Sequence, residues 1–159
     1  MAQRVSAGLL MYRWKHGRLE VFLAHPGGPF FAHKDEGHWS IPKGEIEEGE
    51  EFLNTAIREF GEEIGKQVDP KSPFLELGVI QQKGGKIVHA WAFEGDWDES
   101  QPIVSNTHKV EWPTGSGRII RIPEVDRAQF FSPAEARVRI KERQIPFLDR
   151  LEAALRTKP

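Results

Sequence analysis

The sequence contains no cysteine. Disulfides, thiolate metal sites and cysteine nucleophiles are therefore excluded, and the composition fits a reducing compartment, with the cytoplasm as the expected location. Long apolar runs are missing too, so no transmembrane helix is expected. The opening residues Met1-Ala2-Gln3-Arg4-Val5-Ser6 lack the apolar stretch of a secretory signal. There is little excess of either charge: 22 Lys and Arg face 24 Asp and Glu, a net charge of −2. That balance argues against general nucleic-acid binding by phosphate neutralisation. Apolar residues at 38% and charged residues at 29% fit a globular chain rather than a disordered one or a coiled coil. At roughly 100–200 residues per domain, a chain of 159 residues is expected to form one domain, 1–159.

The even global charge conceals a local excess. Between Gly44 and Lys66 stand eight carboxylates, Glu45, Glu47, Glu48, Glu50, Glu51, Glu59, Glu62 and Glu63, and two cations, Arg58 and Lys66. The segment carries −6, which leaves +4 on the remainder. Charges packed this densely repel unless they are solvated, paired or bound to cations. An acidic run by itself is usually a solvated face, so the arrangement within the run has to decide.

Residues 6–12 and 19–24 predict strands, with the stretch 13–18 turning at Gly17. The composition of 25–29 is that of a loop, and 39–41 predicts a short strand stopped by Pro42. Residues 75–82 and 86–93 predict a hairpin joined at Gly84-Gly85. The stretch 94–117 is rich in Asp, Ser, Pro and Gly and is expected to be irregular. Strands are expected at 118–122 and 128–131. Ser132, Pro133 and Glu135 form a helix-start pattern, and a last helix is expected from about Pro146 to Arg156. Strands and helices mix without βαβ alternation, which predicts an α+β fold.

The helix expected at 52–65 is unusual. Phe52, Leu53, Ala56, Ile57, Phe60 and Ile64 fall within an arc of about 140°. Taking Phe52 as origin, Glu59 lies near 340°, Glu62 near 280° and Glu63 near 20°. Glu59 and Glu63 thus border the buried stripe, whereas solubilising carboxylates favour the opposite side. The i, i+3, i+4 spacing stacks like charges, and Gly61 within the helix costs about 1 kcal/mol against alanine. A hard divalent cation bound by carboxylate oxygens would offset these costs.

Gly44, Glu50, Arg58, Glu59, Phe60, Glu62, Glu63 and Gly65 stand in the order G-x5-E-x7-R-E-U-x-E-E-x-G, where U is apolar. This pattern resembles the signature box of the Nudix hydrolases (MutT-like), here 44–66. Lys66 occupies a position where the box has a further apolar residue. The resemblance implies an α/β/α sandwich around a mixed sheet, and cleavage of a diphosphate linkage in a nucleoside diphosphate joined to another group. It implies that Glu59, Glu62, Glu63 and the Gly44 carbonyl bind Mg²⁺, with Mn²⁺ as a substitute, and that Glu50 and Arg58 form a structural ion pair. A polyphosphate would be repelled by the acidic segment unless metal bridged the two. The general base is expected to be Glu59. A carboxylate from a later loop is the alternative: Glu111 beside Trp112-Pro113 first, then Glu94, Asp96 or Asp98.

Trp39-Ser40-Ile41-Pro42-Lys43-Gly44 leads into the box. Its Pro-Lys-Gly resembles the diadenosine tetraphosphate hydrolase branch and its diphosphoinositol-polyphosphate relatives, whereas pool-cleaning members more often have Gly-Gly there. Lys43 and His38 are candidate phosphate contacts. Lys34, Lys83, Lys86, Lys109 and Arg118 are candidates for distal phosphates. Trp112 and Trp97 are candidate stacking platforms, while Trp39 and Trp91 fit a core. The histidines show no metal-ligand spacing. Three functions stay open: hydrolysis of dinucleoside polyphosphates, which is preferred; the same chemistry on modified nucleoside triphosphates, nucleotide sugars or triphosphate RNA ends; and a binding module that senses a nucleotide without cleaving it. A monomer or homodimer is expected.

Overall fold

A computed structural model gives the fold of residues 4–157; the ends of the expected 1–159 unit, 1–3 and 158–159, lie outside the described residues. Strand β1 (Val5–Lys15) runs into β2 (Arg18–Pro26) through His16-Gly17 alone. Both turn residues are left-handed, with φ of 53° and 76°. That geometry matches the twist of a two-residue hairpin, so the turn is tighter than the expected 13–18. Strand β8 (Val125–Phe131) pairs antiparallel with β2. On the other side of β1 lies β5 (Ile87–Glu94), parallel to it, followed by β4 (Leu75–Gln81), antiparallel to β5. The sheet is mixed, in the order β4-β5-β1-β2-β8.

Both faces of this sheet are covered. Leu10 and Tyr12 of β1 join a core with Phe147, Leu148 and Leu151 of α3 (Ile145–Thr157) and Ala136 of α2 (Pro133–Arg139). Ala7, Leu9 and Met11 join another core with Ala56, Phe60 and Ile64 of α1 (Phe52–Ile64). A strand buried on both sides needs apolar residues in succession, as in Leu9-Leu10-Met11-Tyr12. The expected α/β/α sandwich is thereby formed. Ser132 caps α2 by accepting from the Glu135 amide at 3.2 Å, and a 3₁₀ turn (Glu142–Gln144) precedes α3.

Two expectations require correction. The segment 39–41 makes only isolated bridges, Ala24 with Ser40 and Trp39 with Ile140, and the strand comes later, at β3 (Lys43–Glu45), paired with β1 over Ser6–Gly8. The Pro42 carbonyl accepts from the Leu9 amide at 3.1 Å, and pairing continues beyond the proline. A side chain at Gly8 would strike Pro42 and Lys43, so this glycine lets the Lys43-Gly44 segment lie on the sheet. The stretch 94–117 is not wholly irregular either. Within it, β6 (Thr107–Glu111) pairs with β7 (Ile119–Pro123) as a separate two-stranded arm. Thr107-His108-Lys109-Val110-Glu111 holds one apolar residue, so it carried no strand periodicity. Among the described residues no helix is long and apolar enough to cross a membrane.

Candidate active site

The acidic helix turns its carboxylates into the crevice between α1 and β3. A Cβ at Gly44 would overlap the Glu59 carboxyl group; only glycine lets that carboxylate rest on β3. Arg58 gathers the rest. Its Nε and Nη2 donate to the two oxygens of Glu50 at 2.8 and 2.9 Å, and its Nη1 donates to Glu59 at 2.9 Å and to Glu62 at 3.1 Å. Glu50 also accepts from the Thr55 hydroxyl and the Glu47 amide. Its bonds to Arg58 and then to that amide hold its carboxyl down at about 2. Arg58 therefore ties the loop before α1 to the helix and partly neutralises two stacked carboxylates.

Glu63 is the buried member of the set, 9% exposed. Burial first, and Glu59 next, push its carboxyl up to about 8, with Glu124 adding to the repulsion and Lys43 opposing it. The Glu59 carboxyl is raised by burial and by Glu62, against the pull of Arg58. Lys43 shows the converse effect. Burial, then the neighbouring charges of Lys141 and Lys86, press its ammonium down to about 8. Glu63, Lys43, His38, Lys141 and Glu124 line one small cleft of about 130 Å³.

Among the described residues, no three acidic or histidine side chains close into a cage for an ion. The donors nonetheless suit a hard cation: every candidate is a carboxylate or carbonyl oxygen, and the buried Glu63 lies beside the like charges of Glu59 and Glu124, offset in part by Lys43 and Lys141.

The family model of the NUDIX domain matches residues 2–151, nearly the whole chain. The chain belongs to the Nudix family. It is a Nudix hydrolase, of the class acting on phosphoric anhydride bonds. No curated protein matches it. Among solved structures, a C. elegans Ap4A hydrolase binary complex is similar, at 21% identity and a TM-score of 0.62 over 98% of this chain and 99% of that one. The NUDIX domain of Shewanella oneidensis NrtR complexed with ADP ribose is similar at 15% identity and a TM-score of 0.66, over 98% and 90% of the two chains. A mutT/nudix family protein from Listeria innocua is similar at 15% identity and 0.64, over 98% and 96%. These likenesses establish the shared Nudix fold.

Outside the Nudix box, the candidate residues separate. Glu111 sits at the end of β6, where its two oxygens accept from the Gly115 and Gly117 amides at 2.8 and 3.0 Å. It lines a second cleft of about 200 Å³, with Phe30, Phe31, His108, Trp112 and Ile122, not the cleft of Glu63. Trp112 thus faces an aromatic wall. Trp97 does not: it packs on Phe22 in the core beside α1, which corrects its expected role as a platform. Asp96 bonds Arg13, and Asp98 bonds Ser100. His25 is buried between Asp126 and the Lys34 carbonyl.

Two residues of the cleft had no counterpart in the sequence reading. Glu124 reaches it from the link between β7 and β8; its nitrogen bonds the Asn106 carbonyl, and the Asn106 nitrogen bonds Glu62 at the end of α1. Its carboxylate is 3.1 Å from His108 Nδ1, out of line for a hydrogen bond. Lys141 reaches the cleft from the turn after α2, fixed by its amide bonded to the Trp39 carbonyl. Neither lies in a motif.

Proposed function

We propose that this Nudix hydrolase is a divalent-cation-dependent pyrophosphohydrolase of dinucleoside polyphosphates, with diadenosine tetraphosphate as the representative substrate and 1–159 as one catalytic unit. The observation that carries this reading is the meeting of Glu59, Glu63 and Glu124 with Lys43 and Lys141 beside Gly44. Glu59, Glu62, Glu63 and the Gly44 carbonyl are the residues that would hold Mg²⁺ or Mn²⁺. Such a cation, when bound, polarises a phosphoryl oxygen and offsets the charge on the leaving phosphate.

The residues of the chain supply the remainder. Glu59, whose carboxyl is raised by burial, serves as general base. It takes the proton of a water whose oxygen attacks one phosphorus, while the bridging P–O bond breaks and its electron pair leaves with the departing phosphate. Lys43 places its ammonium by the phosphates. Glu50 and Arg58 keep the loop and the helix in register. The aromatic cleft of Phe30, Phe31 and Trp112 suits a nucleobase, since bases stack on aromatic faces for about 1–3 kcal/mol each. This cleft adjoins the carboxylates through Pro26-Gly27 and through the His108 and Glu124 side chains.

A mass-spectrometric product screen with Mg²⁺, over dinucleoside polyphosphates, nucleoside triphosphates, nucleotide sugars and ADP-ribose, tests the proposal. Diadenosine tetraphosphate is expected to be cleaved with the highest kcat/KM. Preference for a nucleotide sugar or a triphosphate would overturn the substrate. Absence of turnover on every compound with either cation would favour the nucleotide-sensing module.

A further inference from the structure

On the side of the cleft marked by His38 and Lys141 lies a larger groove, of about 580 Å³. His38 and Lys141 line both cavities, so the two adjoin. Gln82, Lys83, Glu142 and Arg143 complete the groove wall. Three cations thus face one carboxylate there. Lys86, bonded through its carbonyl to the Gln82 amide, lies near enough to repel both Lys43 and Lys141.

This gathering is costly for the protein alone. Like charges repel, and Lys43, Lys86 and Lys141 are each only partly exposed. They come from three separate parts of the chain: β3, the hairpin before β5, and the turn after α2. Among the described residues, none of Lys43, Lys83, Lys86, Lys141 and Arg143 forms an ion pair within 4.0 Å, whereas Arg13, Arg58, Arg137 and Arg139 each hold at least two carboxylates. Glu63 acts on Lys43 and Lys141 from the carboxylate side, and the groove itself offers only Glu142 against Lys83, Lys141 and Arg143. A ligand that brings several negative charges in a row would relieve the repulsion and use all of them.

The geometry points to a subsite for a run of phosphates: we infer that this groove holds the phosphates of a substrate that extend beyond the diphosphate unit at the carboxylates, with Lys141 at the junction and Lys83 and Arg143 further out. The inference rests on the proposed reading of the carboxylate cleft and extends it. With the aromatic cleft on one side and the basic groove on the other, the protein is built for substrates with three or more consecutive phosphates. A diphosphate-linked sugar would leave the outer cations unused.

The test uses the full chain and the variant Lys83→Ala/Arg143→Ala, with Lys83→Arg as the charge-retaining control. Calorimetry with Ca²⁺ measures binding of inorganic tripolyphosphate and of inorganic pyrophosphate. The double variant is expected to lose about tenfold in affinity for tripolyphosphate and less than threefold for pyrophosphate, and Lys83→Arg is expected to stay near wild type. A second arm compares KM for diadenosine tetraphosphate and ADP-ribose. KM is expected to rise mainly for the tetraphosphate, with little change in kcat. Equal losses for both inorganic ligands, or no loss for either, would overturn the inference even if the enzyme hydrolyses its substrates normally. Length-dependent binding without turnover of any compound would uphold the groove while removing the hydrolase reading of this site. If the tripolyphosphate effect appears but ADP-ribose suffers the same rise in KM as the tetraphosphate, the groove does not discriminate by chain length and the inference fails.

Discussion

In the proposed site, Glu63 is the residue at which function and stability oppose each other. Its carboxyl stands at about 8, against an ordinary value of 4.5, because it is buried beside Glu59. A carboxyl raised in the folded state binds its proton there more tightly than in the unfolded chain. Stability is therefore fully retained below about pH 4.5 and declines as the pH climbs to about 8. At 1.36 kcal/mol per unit, the decline between about pH 4.5 and 8 has a ceiling of about 5 kcal/mol. Sharing of the proton with Glu59 brings the expected loss to about 2 kcal/mol. Lys43 does not confuse this window, since its depressed ammonium acts between about 8 and 10.5 and with the opposite sign. Glu63→Gln keeps the size of the side chain and removes the charge. In EDTA at about pH 8 the variant is expected to melt roughly 4–8 °C above the wild type, from about 2–4 °C per kcal/mol for a chain of this size. Near pH 4.5 the two should converge. Millimolar Mg²⁺ is expected to raise the wild-type Tm by mass action and leave the variant nearly unmoved. Thermal unfolding followed by circular dichroism reads all three conditions. The reasoning is refuted if the wild type in EDTA shows no loss relative to Glu63→Gln as the pH rises, or if Mg²⁺ stabilises both proteins alike.

Four other substitutions separate the roles given to the remaining residues. Glu50→Gln is expected to cost about 1–2 kcal/mol at neutral pH, with the difference vanishing as the pH falls from about 4.5 towards 2, because the Glu50 carboxyl is depressed by Arg58; denaturant titrations at both ends of that range check it. Glu59→Gln is expected to lower kcat by 10²-fold or more at saturating Mg²⁺, whereas Glu111→Gln, whose oxygens hold the Gly115 and Gly117 amides, should lower it less than fivefold. Steady-state rates on one substrate rank the two, and the reverse order would move the base to the β6–β7 arm. Trp112→Ala is expected to raise KM for an adenine-bearing substrate about tenfold and to leave inorganic tripolyphosphate binding near wild type, which calorimetry and kinetics together resolve.

The sandwich and the acidic helix were legible because their signals are periodic and local. Apolar residues at 3.6-residue spacing defined the buried stripe of α1, and the position of Glu59 and Glu63 at its border agrees with the structure, where Glu63 is buried and Glu59 half-buried. The Pro-Lys-Gly segment was legible as a feature and misplaced as a structure. Strand pairing there follows Pro42 instead of preceding it, since Gly8 leaves room for the Pro42-Lys43 backbone against β1. Of the arm, β7 was legible as the strand expected at 118–122, whereas β6 left no trace because its half-buried positions hold His108 and a single apolar residue, Val110. Its pairing is decided by its turn and by the anchoring of Asn106 to Glu62 and Glu124, contacts far apart in sequence.

Glu124 and Lys141 show why a motif locates half of a site. The box fixes the carboxylates on one helix, where spacing alone determines which side chains share a face. The opposite wall of the cleft is assembled by tertiary contact. Glu124 is set by the crossing from the arm into the sheet, and Lys141 by the hydrogen bond of its amide to Trp39. Such positions obey no period, so a lone Glu after a proline and a lone Lys after a helix look like solvated surface. Their setting changes what they are: an acid that adds to the charge on Glu63, and a base that adds to the charge on Lys43. Each like-charged contact makes the empty cleft less stable and a doubly charged occupant more welcome, a cation against the acids and a phosphate against the lysines. An oxyanion neutralised on one side by a cation and on the other by ammonium groups is the occupant that satisfies both walls at once. The two kinds of strain are thus halves of one complementarity, and only the folded chain brings them to face each other.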